Sequence, residues 1–287
     1  MKAAPFDYTK PTTLAEAVSM KQRYGNAARF LAGGQSLLPA MNMRFDRPEL
    51  LIDINGLDQL DGISEDARMV RIGALTRASA LGASPLIAQR LPLLAQCVKH
   101  IAHPAIRTLA TFGGSVALAD PAAEWPAACL ALDATIVALG PTGERAIAAR
   151  DFFRGLYTTA LAENELLTRI ELPAQPKEVR TVALEIARRR GDFAIAGILA
   201  QAKVERGDML EEPRVAFFGI ADRPIRLTEV ERHLAASGRN GVAAAKAALV
   251  EGCTFTSDLY NAPTTKQHLA GVLLSRAIEQ LLVTEEC

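Results

Sequence analysis

Two glycine pairs, each predicted to form a turn among apolar residues and each followed by a small hydroxyl, are the features of this chain best suited to chemistry. They lie in the segments Ala32-Gly33-Gly34-Gln35-Ser36 and Thr111-Phe112-Gly113-Gly114-Ser115. Because glycine lacks a Cβ atom, its amide can approach a phosphate oxygen closely. Two such segments, well separated along the chain, predict one large ligand held from two sides. A dinucleotide with a diphosphate centre fits that description.

Acidic residues follow the second glycine segment. Asp120 and Glu124 do not bind phosphate, but carboxylates accept hydrogen bonds from sugar hydroxyls. A phosphate grip followed by a carboxylate therefore suits a ligand that carries both a diphosphate and a polyol. Asp120 is equally suited to capping the helix that follows. The chain has neither G-x-G-x-x-G after a strand nor G-x-x-x-x-G-K-[ST], which argues against a Rossmann domain and a P-loop NTPase.

A third segment of interest is Arg190-Gly191-Asp192-Phe193-Ala194. Asp192 could cap the start of a helix, in which case the segment is only structural. Alternatively, Phe193 could stack against a flat aromatic ring. His100 and His103 are the only close histidine pair, and no third metal ligand lies near them in the sequence. Neither a metal site nor a set of catalytic side chains is predicted.

The composition excludes several functional classes. The 287 residues include 32 basic and 32 acidic side chains, so a nucleic-acid partner, which requires a basic face, is not expected. Cys97, Cys129, Cys253 and Cys287 are scattered without a C-x-x-C motif, so no iron–sulfur cluster is predicted on this chain and a cytoplasmic location is expected. No apolar run approaches the length of a membrane span, so no transmembrane helix is expected.

The order of the predicted elements indicates an α+β protein of three parts. Thr13 and Glu16 form a capping box that starts a helix running to about Tyr24. Residues 173–176, with two prolines, are the best linker. Three antiparallel strands are predicted beyond it, at 181–187, 198–204 and 213–219, and three helices follow them. The predicted domains are 1–55, 56–175 and 176–287.

Taken together, these motifs resemble the FAD-binding medium subunit of the molybdenum hydroxylases, the family of xanthine dehydrogenase, carbon monoxide dehydrogenase and the bacterial N-heterocycle dehydrogenases. The resemblance covers the whole chain. It is carried by Ala32-Gly33-Gly34-Gln35-Ser36-Leu37-Leu38-Pro39, Thr111-Phe112-Gly113-Gly114-Ser115, Glu165-Leu166-Leu167 and Gly191-Asp192-Phe193-Ala194. It implies a fold of the p-cresol methylhydroxylase and vanillyl-alcohol oxidase type, in which two α/β subdomains clasp FAD and a C-terminal sheet-plus-helix domain closes the site.

The resemblance also implies roles for individual residues. Segments 32–36 and 111–115 would hold the diphosphate, and Glu124 would accept hydrogen bonds from the ribityl or ribose hydroxyls. Leu167 would lie beside the adenine or flavin, and Phe193 would shield one face of the isoalloxazine. The full set implied at FAD is Ala32, Gly33, Gly34, Gln35, Ser36, Leu37, Thr111, Phe112, Gly113, Gly114, Ser115, Glu124, Leu167, Asp192 and Phe193.

Three positions depart from the family pattern. Ser115 stands where the family often has asparagine, and Ala110 where glycine commonly precedes the threonine. Glu185 stands where the family often has a lysine near the pyrimidine end of the flavin. Because a carboxylate there would not stabilise negative charge on a reduced flavin, we expect a different flavin potential.

The resemblance implies a noncovalent FAD that relays electrons. A large partner subunit would oxidise the substrate, an N-heterocycle, an aldehyde or CO, at a molybdopterin centre. A small partner with two [2Fe-2S] clusters would deliver the electrons to FAD, and an external acceptor would remove them, in a dimer of heterotrimers. Two alternatives stay open: a self-contained flavin-dependent reductase of the same superfamily, and a non-catalytic nucleotide-binding module.

Overall fold

A computed structural model describes residues 2–283. The N-terminal unit is a three-stranded parallel sheet in the order β1-β3-β2. Its first helix starts at the predicted capping box, where the Glu16 amide donates to Thr13 Oγ1 (3.2 Å) and the Thr12 amide donates to Glu16 Oε2 (2.8 Å). The elements are β1 Asp7–Thr9, α1 Leu14–Tyr24, β2 Ala28–Leu31, α2 Leu37–Asn42 and β3 Leu50–Asp53.

The middle unit is a five-stranded antiparallel sheet in the order β4-β5-β10-β6-β7, with short helices packed around it. Its strands are β4 Ile63–Glu65, β5 Met69–Gly73, β6 Thr135–Gly140, β7 Gly143–Ala148 and β10 Leu166–Pro173, and a small hairpin is formed by β8 Phe153–Gly155 and β9 Thr158–Thr159. Its helices are α3 Ala78–Ala83, α4 Pro85–Arg90, α5 Pro92–Val98, α6 Pro104–Arg107, α7 Phe112–Leu118, α8 Glu124–Ala131 and α9 Ala149–Phe152.

The C-terminal unit is an antiparallel sheet in the order β11-β12-β13-β14, followed by three helices. The predicted three-stranded meander is present, and a two-residue fourth strand extends it. The elements are β11 Val179–Ala187, β12 Ala194–Glu205, β13 Met209–Phe218, β14 Ile225–Arg226, α10 Thr228–Ser237, α11 Val242–Gly252 and α12 Pro263–Leu282. The α+β class is therefore confirmed.

The C-terminal sheet is buried on both faces, and this joins it to the middle unit. Phe218 and Leu199 belong to the core of the middle unit, whereas the adjacent Phe217 and Ile198 pack against α10 to α12. Alternate residues of a strand point to opposite faces, so one strand serves two cores. The Gly219 amide also donates to the Pro121 carbonyl (2.7 Å). The two units thus meet over a continuous apolar surface.

One of the two alternatives for the segment at Asp192 is excluded, and one local prediction is wrong. No helix follows Asp192, because the chain turns at Gly191 (φ +86°) and enters β12 at Ala194. The cause is pairing: Ala194 lies opposite Ala187 in β11, and this ladder overrides any capping tendency of Asp192. The second glycine segment is also not a turn, since it forms the first part of α7 with Thr111 as the N-cap. Within the described residues, no helix is long and apolar enough to cross a membrane.

Candidate functional site

The first glycine segment is an anion cradle made of main-chain amides. It connects β2 to α2, and Gly34 adopts a left-handed conformation (φ +70°) that favours glycine. Within residues 2–283, the amides of Gly33, Gly34, Gln35 and Ser36 donate no hydrogen bond. Consecutive unpaired amides in a turn form a concave site for anions. This segment therefore has the free donors that a diphosphate requires.

The second glycine segment has its amides already in use. The Phe112 amide donates to the Thr76 carbonyl and the Gly113 amide to the Ala74 carbonyl, both at 2.9 Å. The Gly114 amide donates to Thr111 Oγ1 (3.1 Å) and the Ser115 amide to the Thr111 carbonyl (3.2 Å). The expectation that these amides point freely at phosphate is therefore wrong. The remaining donors of the segment are the hydroxyls of Ser115 and of Thr111, and Thr111 is buried with its Oγ1 accepting from Gly114.

The glycines of both segments are required by close packing of protein on protein. A Cβ atom at Gly33 would lie 3.0 Å from the Ala110 Cα atom and nearer still to the Leu109 carbonyl oxygen. A Cβ atom at Gly113 would lie 2.5 Å from the Cβ atom of Ala74 in the strand connection below. Backbone this close leaves no room for any other residue.

The same packing brings the two segments together. Gly33 lies against the chain just before Thr111, and a Cβ atom at Gly114 would lie 3.6 Å from that of Ala32. The free amides of the first segment are thus beside the N-terminal turn of α7. The predicted proximity of the two segments is therefore confirmed, whereas their contact with one diphosphate stays a prediction.

A polar network that sequence reasoning missed fixes this arrangement. Asn55 donates through Nδ2 to the carbonyl of Ala32 (2.9 Å), and its Oδ1 accepts from Arg77 Nη2 (2.6 Å). Arg77 also donates through Nη1 to the Leu109 carbonyl. One amide and one guanidinium therefore connect the two glycine segments. The signal in the sequence was slight, because Asn55-Gly56 reads as an ordinary turn and Arg77 belongs to no motif.

Asp53 holds Asn55 of that network in place through hydrogen bonds. Its Oδ1 accepts from the Asn55 amide (2.9 Å), and its Oδ2 accepts from the Tyr8 hydroxyl (2.5 Å). Burial acts to raise the pKa of Asp53, but the hydrogen bonds from Tyr8 and Asn55 outweigh it and hold the pKa below its usual value. Asp53 is therefore ionised at neutral pH, and it orients Asn55 toward the first glycine segment.

Glu124 is the first residue of α8, the helix that follows the second glycine segment in the chain. Trp125 beside it packs edge-to-face on Phe112, with the ring centroids 5.1 Å apart. Burial, and then the nearby carboxyls of Glu185 and Asp120, raise the pKa of Glu124 to about 8. A largely protonated carboxyl can donate as well as accept a hydrogen bond.

Asp120 does not cap α8. Its Oδ1 accepts from the Ala122 amide (2.9 Å), and its Oδ2 accepts from the Tyr157 hydroxyl (3.2 Å).

The remaining predicted residues occupy two very different environments. Leu167 is 4% exposed in β10 and packs into the core of the middle unit, so only its main chain could touch a ligand there. Phe193 is 66% exposed at the end of the turn before β12, where its ring is free to stack on a flat partner. That turn rests on the segment before α6, since a Cβ atom at Gly191 would lie 2.9 Å from the Ala102 carbonyl oxygen.

Comparison with known proteins identifies the family. The family described as FAD binding domain in molybdopterin dehydrogenase matches residues 4–175. The family described as CO dehydrogenase flavoprotein C-terminal domain matches residues 183–281. The two matches together span nearly all of the described chain.

Individual relatives match the sequence of this chain over nearly their full length. The carbon monoxide dehydrogenase medium chain of Hydrogenophaga pseudoflava is 36% identical over 95% of this chain and 96% of its own. The 6-hydroxypseudooxynicotine dehydrogenase complex subunit alpha of Paenarthrobacter nicotinovorans is 33% identical over 98% and 96%. A solved structure of carbon monoxide dehydrogenase from Hydrogenophaga pseudoflava superposes with a TM-score of 0.94 at 37% identity, covering 97% of this chain and 98% of that one. This chain therefore belongs to the FAD-binding medium subunits of the molybdenum hydroxylases, and FAD is its cofactor.

Proposed function

We propose that this subunit takes electrons from the iron–sulfur clusters of a small partner subunit and passes them to an external acceptor. A large molybdopterin subunit oxidises the substrate. The observation that carries the proposal is the pair of glycine segments, the first with four unpaired amides and the second beside it with the Ser115 hydroxyl, held together by Asn55 and Arg77. This donor set fits the diphosphate of FAD.

The diphosphate is the part of FAD that the chain is best equipped to hold. The amides of Gly33 to Ser36 donate to one group of phosphate oxygens, and Leu37 starts the helix behind them. Thr111 and Ser115 supply hydroxyls from the other side, and Ala32, Phe112, Gly113 and Gly114 form the packed backbone between the two donor sets. These contacts are noncovalent.

The sugar and ring contacts follow from position and exposure. Glu124 exchanges hydrogen bonds with the ribityl or ribose hydroxyls. Phe193, carried by the turn that contains Asp192, stacks on the isoalloxazine, and Leu167 borders the adenine or flavin through its main chain. The isoalloxazine supplies the redox chemistry, and the protein positions it and tunes its potential.

The assembly proposed is a dimer of heterotrimers, with molybdopterin and two [2Fe-2S] clusters only on the partners. Relatives named as dehydrogenases of CO and of 6-hydroxypseudooxynicotine support this role. They also support a substrate that is an N-heterocycle, an aldehyde or CO. Unpaired thiols at Cys97, Cys129 and Cys253 suit a reducing compartment, and we place the subunit in the cytoplasm. Cys287 lies outside the described residues.

The test is reconstitution of the purified full chain with FAD. We expect flavin absorbance bands, reduction of the bound flavin by dithionite, and no turnover of NADPH or of any heterocycle until the partner subunits are added. Turnover of NADPH with a small substrate by the isolated chain would favour the self-contained reductase. Binding of ADP with no bound flavin would favour the nucleotide-binding module.

A further inference from the structure

Three consecutive arginines lie in the turn that connects β11 to β12, and no part of the proposed FAD site uses them. Arg188, Arg189 and Arg190 are exposed. Within residues 2–283, none of them forms a salt bridge. The turn is tight, because the Asp192 amide donates to the Arg189 carbonyl (3.1 Å). Three cations are therefore held close together on the surface without an ion-pair partner.

A second turn, formed by residues 258–261, presents two exposed apolar side chains beside these arginines. Leu259 is 84% exposed and Tyr260 is 70% exposed. The guanidinium carbon of Arg188 lies 4.5 Å from the centre of the Tyr260 ring, within the range of a cation–π contact. The two turns thus form one continuous surface.

Polar contacts hold the second turn in one conformation. Asp258 Oδ1 accepts from the Tyr260 amide (2.8 Å) and from the Asn261 amide (2.9 Å). Asp258 Oδ2 lies 3.0 Å from Nζ of Lys266, which is buried in α12. Side chains carried by a preorganised turn lose little conformational entropy when a partner covers them. Leu259 and Tyr260 are therefore well placed to bind another molecule.

The surface carries an excess of positive charge. The acidic residues of the two turns are Asp192 and Asp258, and Lys266 neutralises Asp258. The three arginines are thus opposed only by Asp192 within these turns. We call the exposed side chains of Arg188, Arg189, Arg190, Leu259 and Tyr260 the basic face. A positive surface complements an acidic partner, and arginine and tyrosine are enriched where proteins meet.

The shape of the basic face favours a protein over a small ligand or a membrane. Small-molecule sites are concave and bury most of the ligand, whereas the basic face consists of exposed side chains on two turns. Proteins that lie on a membrane surface typically use an amphipathic helix or a lipid chain, and neither turn is helical. Weak electron-transfer complexes, by contrast, use small interfaces that charge steers into contact.

We propose that the basic face docks an acidic one-electron carrier protein, and that this carrier is the external acceptor. Phe193 ends the same turn as the three arginines, and under the proposed function its ring stacks on the isoalloxazine. A carrier on the basic face is therefore beside the electron donor. Two carriers are reduced by one electron each for every fully reduced flavin, and two protons pass to water. The identity of the carrier as the acceptor rests on the proposed function, whereas the docking of an acidic protein does not.

The first experiment measures docking without FAD. The FAD-free full chain is titrated in a calorimeter with a small acidic b-type cytochrome, and with a basic c-type cytochrome as the opposite-charge control. The titrations are made at about 0.01 M and about 0.15 M ionic strength, where the Debye lengths are about 30 Å and about 8 Å. We expect the acidic cytochrome alone to bind, and its Kd to rise by about tenfold or more at the higher ionic strength.

Four variants separate charge from apolar contact. Arg206→Gln is the matched control, because Arg206 is exposed and follows the opposite end of β12. We expect Arg189→Gln to raise the Kd several-fold and to weaken its salt dependence, and Arg189→Lys to restore both. Leu259→Ser should raise the Kd by a similar factor at both ionic strengths. All three positions are exposed, so the variants should fold normally.

Three results of the first experiment would overturn the proposal. They are no binding of the acidic cytochrome, equal binding of both cytochromes, and the same Kd for Arg189→Gln as for Arg206→Gln. Retention of the chain by vesicles of anionic phospholipid, without binding of the cytochrome, would replace the protein partner with a membrane surface and would equally overturn it.

The second experiment asks whether the docked carrier receives the electrons. The three-subunit holoenzyme is reduced with dithionite and freed of excess reductant, and stopped-flow absorbance follows electron transfer to the acidic cytochrome or to a small neutral quinone. We expect Arg189→Gln to slow reduction of the cytochrome several-fold at low ionic strength and to leave reduction of the quinone unchanged. No effect on the cytochrome, as when a partner subunit covers the basic face, or an equal effect on both acceptors would overturn the role in electron transfer. A chain that never binds FAD would refute the proposed function, while the first experiment would still decide whether the basic face docks an acidic protein.

Discussion

Replacing Gly33 with alanine tests the central contact of the FAD site. The new Cβ atom would lie 3.0 Å from both the Ala110 Cα atom and the Leu109 carbonyl carbon, and nearer still to the Leu109 oxygen. All three obstacles are backbone, so no side-chain rotation can relieve the overlap and the two glycine segments must move apart. Inserting a methyl group into packed structure typically costs about 1–3 kcal/mol.

This cost falls on the arrangement of segments that we propose holds FAD. Because about 1.4 kcal/mol corresponds to a tenfold change in Kd, we expect FAD affinity to fall by about 5- to 150-fold in Gly33→Ala. The measurement is titration of the FAD-free chain with FAD, followed by flavin fluorescence, together with the midpoint of denaturant unfolding.

Gly271→Ala is the matched control. A Cβ atom there meets only the Lys246 side chain, at 3.9 Å, and the residue lies inside α12. We expect unchanged FAD affinity and slightly higher stability, since alanine is favoured over glycine in helices. If Gly33→Ala binds FAD as tightly as Gly271→Ala does, the contact between the segments does not set the geometry of the site and the reasoning fails.

Three further changes probe the residues around this contact. Arg77→Ala removes the hydrogen bonds to Asn55 and Leu109. We expect FAD affinity to fall by about tenfold, because a hydrogen bond to a charged group contributes about 1.5–3 kcal/mol. An unchanged affinity would show that Arg77 does not hold the two glycine segments together. Phe193→Ala removes an exposed ring, so stability should change by less than about 0.5 kcal/mol while the absorbance bands of bound flavin shift; identical spectra would show that the ring does not stack. The single tryptophan, Trp125, packs on Phe112, so FAD binding should change its emission, and a constant emission spectrum would place the cofactor elsewhere.

Local patterns in the sequence were enough to identify the family and the helix at Thr13. The capping hydrogen bond of Thr13 spans three residues, so nothing distant competes with it. The glycine segments were recognisable for a similar reason, because close backbone approach requires glycine whatever lies opposite. The family resemblance then supplied FAD, which the comparisons confirm.

Other features depended on partners far away in the chain. The amides of the second glycine segment looked free, but the carbonyls of Ala74 and Thr76 occupy two of them. A glycine in the sequence indicates that another group packs closely against it. It does not indicate whether that group is a phosphate of a ligand or a strand of the protein. Helix capping by Asp192 was likewise one of two alternatives in the sequence, and pairing of β12 with β11 excludes it.

The sequence by itself determined that the glycines of both segments lie close to another part of the backbone, because the need for glycine at such a contact can be recognised from a single residue. Only the tertiary structure decided which amides remain for FAD and that Arg77 connects the two glycine segments. Hydrogen bonding and proton affinity depend on what surrounds a group, and in this protein those surroundings are assembled from separate units of the fold.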